Sequence, residues 1–292
     1  MERDELQKKI LKLYADEREA LGESGTNEHL ERGKQWDLSG TLSAGGVLVF
    51  PHIDIQDCGY QVAACVHAAL DSGADKVVVL SVLHAFTPAM EAARVAVANG
   101  EDPSKFPFWG IQGTGIDGCE EWKGDHALIG WRHFWESEVK RRGIPESKVP
   151  KVYERYPYIA GGKPENLPGI DDLAKLMEDA VVVTTADSFH HGIGYGDSPE
   201  EAHDHDEEGM AYATSVLEEG ISILEKGDYW GYNQHCIKAK SDARDTGQVY
   251  RYLRGDMTGK IRDLTYSDSS ELYNQPKPTW VAGALIEWKL NN

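Results

Sequence analysis

Three short runs of apolar residues predict buried strands of a parallel sheet. They are GVLVFP before His52, KVVVLSVL before His84 and AVVVTTA before Asp187. Continuous apolar runs bounded by glycine or charge are typical of strands that are covered on both faces. Between the first two runs, the apolar positions of YQVAACVHAALDSGA recur at helical spacing, and Gly73 ends that helix. The pattern therefore predicts a βαβ unit with a right-handed crossover.

The rest of the pattern indicates one α/β domain with a central, largely parallel or mixed β-sheet flanked by helices. The amino-terminal segment is charged and carries one apolar stripe, which predicts a surface helix. That stripe consists of Leu6, Ile10, Leu11 and Tyr14. We expect residues 1–44 to form this helix and a connector, and residues 45–290 to form the α/β domain.

Helices are also predicted over about 125–142 and 170–178. Ser198, Pro199 and Glu201 have the order of a helix start, so a long helix is expected from there to about residue 226. The carboxyl-terminal segment is predicted to form a short helix (GQVYRYL), a strand (KIRDLTYS) and a last strand or helix (TWVAGALIEWKL).

Two segments have no clear period. Residues 99–124 are rich in glycine, proline and aromatic residues, and loops of this length tend to be functional. The segment ERYPYIAGGKPENLPG is expected to be a linker.

The charge of the chain excludes several classes of partner. The formal net charge is −19, so we expect neither nucleic acid nor an anionic membrane surface as a partner, because both need a basic patch. No stretch of the sequence is long and apolar enough to cross a bilayer. The four cysteines form no CxxC pair, which favours a reducing, cytoplasmic location. These features are compatible with a homo-oligomer.

Imidazole and carboxylate groups follow the predicted strands directly. Ligands of open α/β sheets bind beyond the carboxyl ends of the strands, so His52, His84 and the segment from Asp187 can converge. Two histidines and one carboxylate suit divalent iron and leave positions for substrate and O₂. His190 or His191 is either a third ligand or an acid/base group. Asp187 is a candidate for orienting an imidazole.

Asp125 and His126 lie at the expected start of a helix. They are either a capping pair or residues that contact the substrate. Phosphate-loop, dinucleotide-binding and serine-hydrolase motifs are missing from the sequence, which argues against those chemistries.

Several segments resemble, in order, the motifs of Memo-like proteins. PHIDIQDCG resembles their PHAGYxYCG, VVVLSVLHA their strand ending in LGPSHH, and TADSFHHG their SSDFCHWG. DHALI stands at their EHSxE, and YSDSSELYNQPKPTWVAGAL resembles their closing YxxSS…SYAAGAL. The matches run from about residue 46 to 286.

The resemblance implies a fold shared with class III extradiol dioxygenases, which hold Fe(II) with two histidines and a glutamate. It implies His52 and His84 as ligands and His190 as the acid/base histidine. DARDTGQV matches the CGRHPIGV of Memo-like proteins and places Asp242 at their cysteine. An aspartate there would complete two histidines and one carboxylate. Asp245 is the alternative third ligand.

The sequence thus predicts a mononuclear non-haem iron enzyme of extradiol dioxygenase type, acting with O₂ on a small substrate with vicinal oxygens. His190 is expected to move the proton, assisted by Asp187 or His191. Asp125 and His126 are the expected substrate contacts. The alternatives are a non-catalytic Memo-like protein that binds a metal or a peptide, and a zinc-dependent hydrolase. Zinc and copper are the alternative metals.

Overall fold

The computed structural model describes residues 3–291, with side chains from residue 5, so residues 1 and 2 of the predicted amino-terminal helix lie outside it. One mixed sheet forms the centre of the fold. Its strands are β1 (Val47–Phe50), β2 (Lys76–Leu80), β3 (Gly110–Gly113), β4 (Lys151–Tyr158), β5 (Val181–Thr185), β6 (Phe189–Gly192), β7 (Met257–Asp268) and β8 (Thr279–Leu290).

The sheet has a parallel core with antiparallel edges. The strand order is β3-β4-β2-β5-β1-β8-β6, and β7 pairs with the other side of β8. Strands β4, β2, β5 and β1 are parallel, and β8 is antiparallel to β1, β6 and β7. The parallel core confirms the three apolar runs as strands, and their carboxyl ends therefore share one edge of the sheet.

The helices cover both faces of the sheet. They are α1 (Arg3–Gly33), α2 (Ser39–Ser43), α3 (Ile55–Asp71), α4 (Pro88–Ala98), α5 (Ile129–Arg142), α6 (Ile170–Met177), α7 (Glu207–Glu225), α8 (Tyr229–Lys238), α9 (Arg244–Arg254) and α10 (Ser270–Tyr273). Alternate residues of β1 face opposite cores: Leu48 and Phe50 pack with α1, α3, α4 and α5, whereas Val47 and Val49 pack with α6 to α9. The expected α/β fold with a helix-flanked central sheet is confirmed.

Two predicted segments are corrected. Helix α7 begins at Glu207, where Asp206 accepts the Gly209 amide, and not at Ser198. The residues before it are held to the sheet instead, because the His203 carbonyl accepts the Trp280 indole N–H at 2.9 Å. The expected linker overlaps the carboxyl half of β4, whose residues 151–155 pair with β2. Its tyrosines and proline obscured a strand that is buried at its carboxyl end.

The amino-terminal helix α1 is less exposed than predicted. Ile10 and Tyr14 are buried in the core, although Leu11 remains 39% exposed. Glu17 accepts the amide of Ile55, the first residue of α3, at 3.1 Å. Helix α1 therefore supplies the acceptor that a helix start needs from another part of the chain. No helix in the described range is long and apolar enough to span a membrane.

The packing of α3 on α5 generates a stability prediction. A Cβ atom at Gly59 would lie 2.6 Å from Cζ of Phe134, whose ring is fully buried. Gly59→Ala is therefore expected to lower the free energy of unfolding by about 1–3 kcal/mol, despite its better helix propensity. The matched control is Gly130→Ala in α5, where the nearest atom is 3.7 Å away. Urea unfolding tests both variants, and a destabilised control with an unaffected Gly59→Ala would contradict the packing account.

The carboxyl of Glu17 generates a pH prediction. Burial, followed by the charge of Asp54, raises the pKa of Glu17 to about 7. This pKa lies above the unfolded value of 4.5. The contribution of Glu17 to folding stability is therefore fully present below about pH 4.5 and is lost as the pH rises through 7. Glu17→Gln keeps an acceptor for Ile55 and removes the charge. It should match the wild type near pH 4.5 and gain about 2 kcal/mol at pH 8.

Thermal unfolding across this pH range measures the effect. Glu19→Gln, an exposed change on the same helix, is the control and should show no such pH dependence. A Glu17→Gln gain that is equal at both pH values would contradict a raised pKa.

Candidate metal centre

The carboxyl ends of three parallel strands deliver the first residues of the site. His52 follows β1, His84 follows β2, and Asp187 follows β5. Asp242 comes from the turn before α9 and reaches the same point. These residues converge as predicted, because neighbouring parallel strands end at the same edge of the sheet.

The four side chains approach one another closely. Nε2 of His52 lies 3.1 Å from Oδ2 of Asp242 and 3.6 Å from Oδ2 of Asp187. Nε2 of His84 lies 3.8 Å from the same Asp242 oxygen. Asp242 is therefore the carboxylate beside both histidines. Asp245 instead accepts the amide of Ala160 at 2.8 Å.

Hydrogen bonds fix the orientation of both imidazoles. Nδ1 of His52 is 2.9 Å from the hydroxyl of Thr185, and Nδ1 of His84 is 3.1 Å from both oxygens of Asp125. In each ring the other nitrogen, Nε2, faces the centre. Nε2 of His52 is buried and has no aligned hydrogen-bond partner within residues 5–291. Such an arrangement is typical of metal-binding histidines, whose second nitrogen is held by an outer partner.

Backbone bonds hold the two carboxylates in register. The Asp187 amide donates to Oδ1 of Asp242 at 2.7 Å, and the Asp242 amide donates to the Asp187 carbonyl at 3.2 Å. Oδ1 of Asp187 accepts the His52 amide at 2.8 Å. Each carboxylate thus uses one oxygen in the scaffold and keeps the other for the centre.

The charges in the site are strongly coupled. Burial alone would lower the pKa of His52, but the charges of Asp187 and Asp242 outweigh it and raise this pKa to about 9. Burial would raise the pKa of Asp242, but His52 and its neighbours hold it below its usual range. The site without a metal therefore pairs an imidazolium with a carboxylate. A divalent cation would replace the proton on His52, so its binding would release protons.

Two overlapping sets of residues can hold a metal. One is His52, Asp187 and Asp242, and the other is His52, His84 and His126; the ligand atoms of each set lie within 4.8 Å of one another. His52 belongs to both sets. Asp242, a member of the first set, also lies 3.8 Å from Nε2 of His84, a member of the second.

His126 and His190 complete the ring of imidazoles. His126 stacks on His84 with ring centroids 4.2 Å apart, and the His190 ring meets Tyr195 edge-on at 4.9 Å. Nδ1 of each is buried without a hydrogen-bond partner among the described side chains. Burial lowers the pKa of both histidines, and for His126 the charge of His84 lowers it further. Both rings are neutral near pH 7.

A cavity of about 450 Å³ opens over these groups. Ile10 and Tyr14 of α1 form part of its wall, and Phe86, Tyr195 and Tyr273 form another part. The hydroxyl of Tyr14 donates to the His52 carbonyl, so α1 is attached to the site itself. The size suits a small molecule.

Other predicted site residues lie elsewhere. Asp125 is buried behind His84, which it orients, and does not line this cavity. His191 points to the other side of β6, where Nδ1 is 3.0 Å from Asp197 and Nε2 accepts the His203 amide. The long segment 99–124 borders a second cavity of about 640 Å³ and not the metal centre.

Sequence reasoning missed several contributors. Thr185 and the orienting role of Asp125 had no signal, because hydrogen bonds between distant segments leave no spacing pattern. Tyr14 was recognised only as part of an apolar stripe. Arg94 also lines the cavity, and its helix α4 is not among the helices predicted from the sequence.

The sequence matches no known protein-family model and no curated protein. The resemblance to Memo-like proteins therefore remains a prediction from its motifs.

The third ligand can be tested with a matched pair of variants. Asp242→Asn keeps the acceptor for the Asp187 amide and removes the charge beside both histidines. It should weaken metal binding by about 100-fold or more, since even outer partners are worth about 10–100-fold. Asp245→Asn keeps the acceptor for Ala160 and should change the affinity little. Competition titration with a chromophoric chelator, using Zn(II) and anaerobic Fe(II), gives both values. Equal losses in the two variants would contradict the assignment.

Proposed function

We propose that the chain is a mononuclear non-haem iron enzyme, which binds Fe(II) through His52, His84 and Asp242 and acts with O₂ on a small substrate with vicinal oxygens. One observation carries the proposal. Two imidazole nitrogens, each fixed by a partner on the far side of its ring, share a buried carboxylate oxygen at the floor of an open cavity.

The donors fit divalent iron better than a softer metal. Two imidazoles and a carboxylate form a nitrogen and oxygen environment, whereas thiolate would favour zinc or copper(I). All four cysteines are free and none lines the cavity. The buried Nε2 of His52 has no aligned hydrogen bond within residues 5–291 but lies 3.1 Å from Oδ2 of Asp242, and a cation held by both groups would satisfy them. Bound iron would provide adjacent positions at which substrate oxygens and O₂ meet.

His190 is the candidate for moving a proton. Its ring lines the cavity, and its Nδ1 has no partner in the described part of the chain. Burial lowers its pKa, so the neutral ring can accept a proton from a substrate hydroxyl. The charges of Asp242 and Asp187 oppose that shift and would stabilise the protonated ring.

Helix α1 limits access of water. Leu6, Ile10 and Leu13 place apolar side chains along one wall of the cavity. A wall of this kind strengthens electrostatic interactions within the site and protects reactive species from water.

A zinc-dependent hydrolase is the second candidate. His126 joins His52 and His84 in a set of three imidazoles, and three histidines with one open position are a common catalytic zinc site. In this candidate the neutral imidazoles hold zinc, and Asp187 or Asp242 acts as the base.

We also place the protein in the cytoplasm. The free cysteines fit a reducing compartment, because none of the four is paired.

Anaerobic purification, elemental analysis and O₂ uptake with dihydroxylated aromatic compounds test the function. Bound iron with substrate-dependent O₂ uptake is expected. Zinc with hydrolytic activity would favour the second candidate. Iron-loaded protein that consumes no O₂ with any such compound would contradict the oxygenase and favour a metal-binding protein without catalysis.

His190→Ala separates binding from turnover. The variant should keep its iron, because His190 belongs to neither metal-binding set. It should lose O₂ uptake by about 10²-fold or more, as expected when a general acid/base is removed. His205→Ala, which removes a ring stacked on Tyr266 away from the cavity, is the control. Loss of iron from His190→Ala would show that this residue is a ligand.

A further inference from the structure

An arginine is buried without a partner beside the metal centre. Arg244 begins α9 and is only 8% exposed. Its guanidinium forms no hydrogen bond or ion pair with any residue of the described chain. Burial of an unpaired charge is costly, so such a group usually has a partner.

A second arginine lies next to it. Arg94 of α4 is half-buried, lines the main cavity, and has no ion-pair partner among side chains 5–291. Arg94, Arg244 and the carboxylates Asp242 and Asp245 all border one small cavity of about 10 Å³ between α4 and α9, although neither arginine forms an ion pair with them. Two unpaired cations are thus close together in a chain of net charge −19.

Several other charged groups near the centre have partners. Lys240, which also lines the main cavity, pairs with Asp197. Asp187 and Asp242 lie against His52 and would share a bound cation. Asp54 and Glu91 also line this cavity. Arg94 forms no ion pair with either within residues 5–291, so its guanidinium can accept an added anion.

We infer that Arg94, with Arg244 behind it, binds an anionic group, a carboxylate or a phosphate, of the small molecule that occupies the main cavity. That this molecule is the substrate rests on the proposed function; the anion site itself does not. The small cavity holds one water at most, so the anion lies in the main cavity against Arg94. Arg244 is a positioning residue that adds positive potential from behind.

The inference narrows the substrate class. A molecule that reaches both the metal centre and Arg94 carries vicinal oxygens at one end and an anionic group at the other. The planar guanidinium fork suits the two oxygens of such a group.

Calorimetric titration of the metal-free protein with benzoate, phenyl phosphate and benzyl alcohol tests the site. Metal-free protein is used so that no anion can bind through a metal. Arg94→Gln should weaken binding of the preferred anion by about 10-fold or more, and Arg94→Lys by less, since it keeps the charge and loses the fork. Binding of the neutral alcohol should not change. Arg244→Gln should weaken the same anion, and an unchanged affinity would overturn its part in the site.

Arg155→Gln is the control, because this half-buried arginine borders the second cavity. The stronger of the two anions identifies the group as carboxylate or phosphate. Wild-type protein that binds neither anion, or Arg94→Gln that binds both as well as the wild type, would overturn the inference.

Metal binding by the same variants separates this inference from the proposed function. Arg94→Gln should bind Fe(II) as the wild type does. Fe(II) binding without anion binding would overturn the anion site alone. Anion binding that depends on Arg94 in a protein that binds no metal would support the anion site and contradict the iron enzyme.

Discussion

The structure of the site depends on one constraint, which is the neutralisation of buried charge where the parallel strands end. Asp187 and Asp242 are both largely buried, and each accepts a backbone amide from a different segment of the chain. His52 lies between them. These bonds join the ends of β1 and β5 to the turn before α9. The contacts that compensate the buried charge therefore also fix the positions of the candidate ligands.

The fold contributes rigidity around that core of charge. Thr185, the last residue of β5, holds the His52 ring, and buried Asp125 holds the His84 ring through a segment that precedes α5. Helix α1 covers the cavity and is attached through Tyr14 and Glu17. A site built from strand ends with supporting hydrogen bonds can keep its geometry when its occupant changes.

The local sequence pattern is sufficient to predict those strands and helices whose burial follows from their own apolar periodicity. The valine-rich runs and the helix after His52 follow directly from periodicity. Helix α7 was predicted too early because Ser198 and Pro199 form a good cap locally, while His191 and Trp280 hold the following residues by tertiary contacts. Strand β4 was missed because its alternation is broken by Pro157. Competition between local and tertiary bonds is invisible in one sequence.

The residues of the site also fall into those that the sequence predicts and those that it does not. Histidines at strand ends were found by position, and Asp242 by resemblance, because it precedes a helix in a turn with no strand pattern. Arg94 had no signal in the sequence. Arg244 was marked only as the arginine in register with the CGRHPIGV of Memo-like proteins, and its lack of a partner could not be predicted.

Anaerobic titration of metal-free protein with Fe(II), followed by X-ray absorption at the iron edge, tests the central claim most directly. The account predicts one iron per chain, with only nitrogen and oxygen ligands at about 2.0–2.2 Å and an imidazole signal from two histidines. Failure to bind iron, or a sulfur ligand near about 2.3 Å, would contradict it.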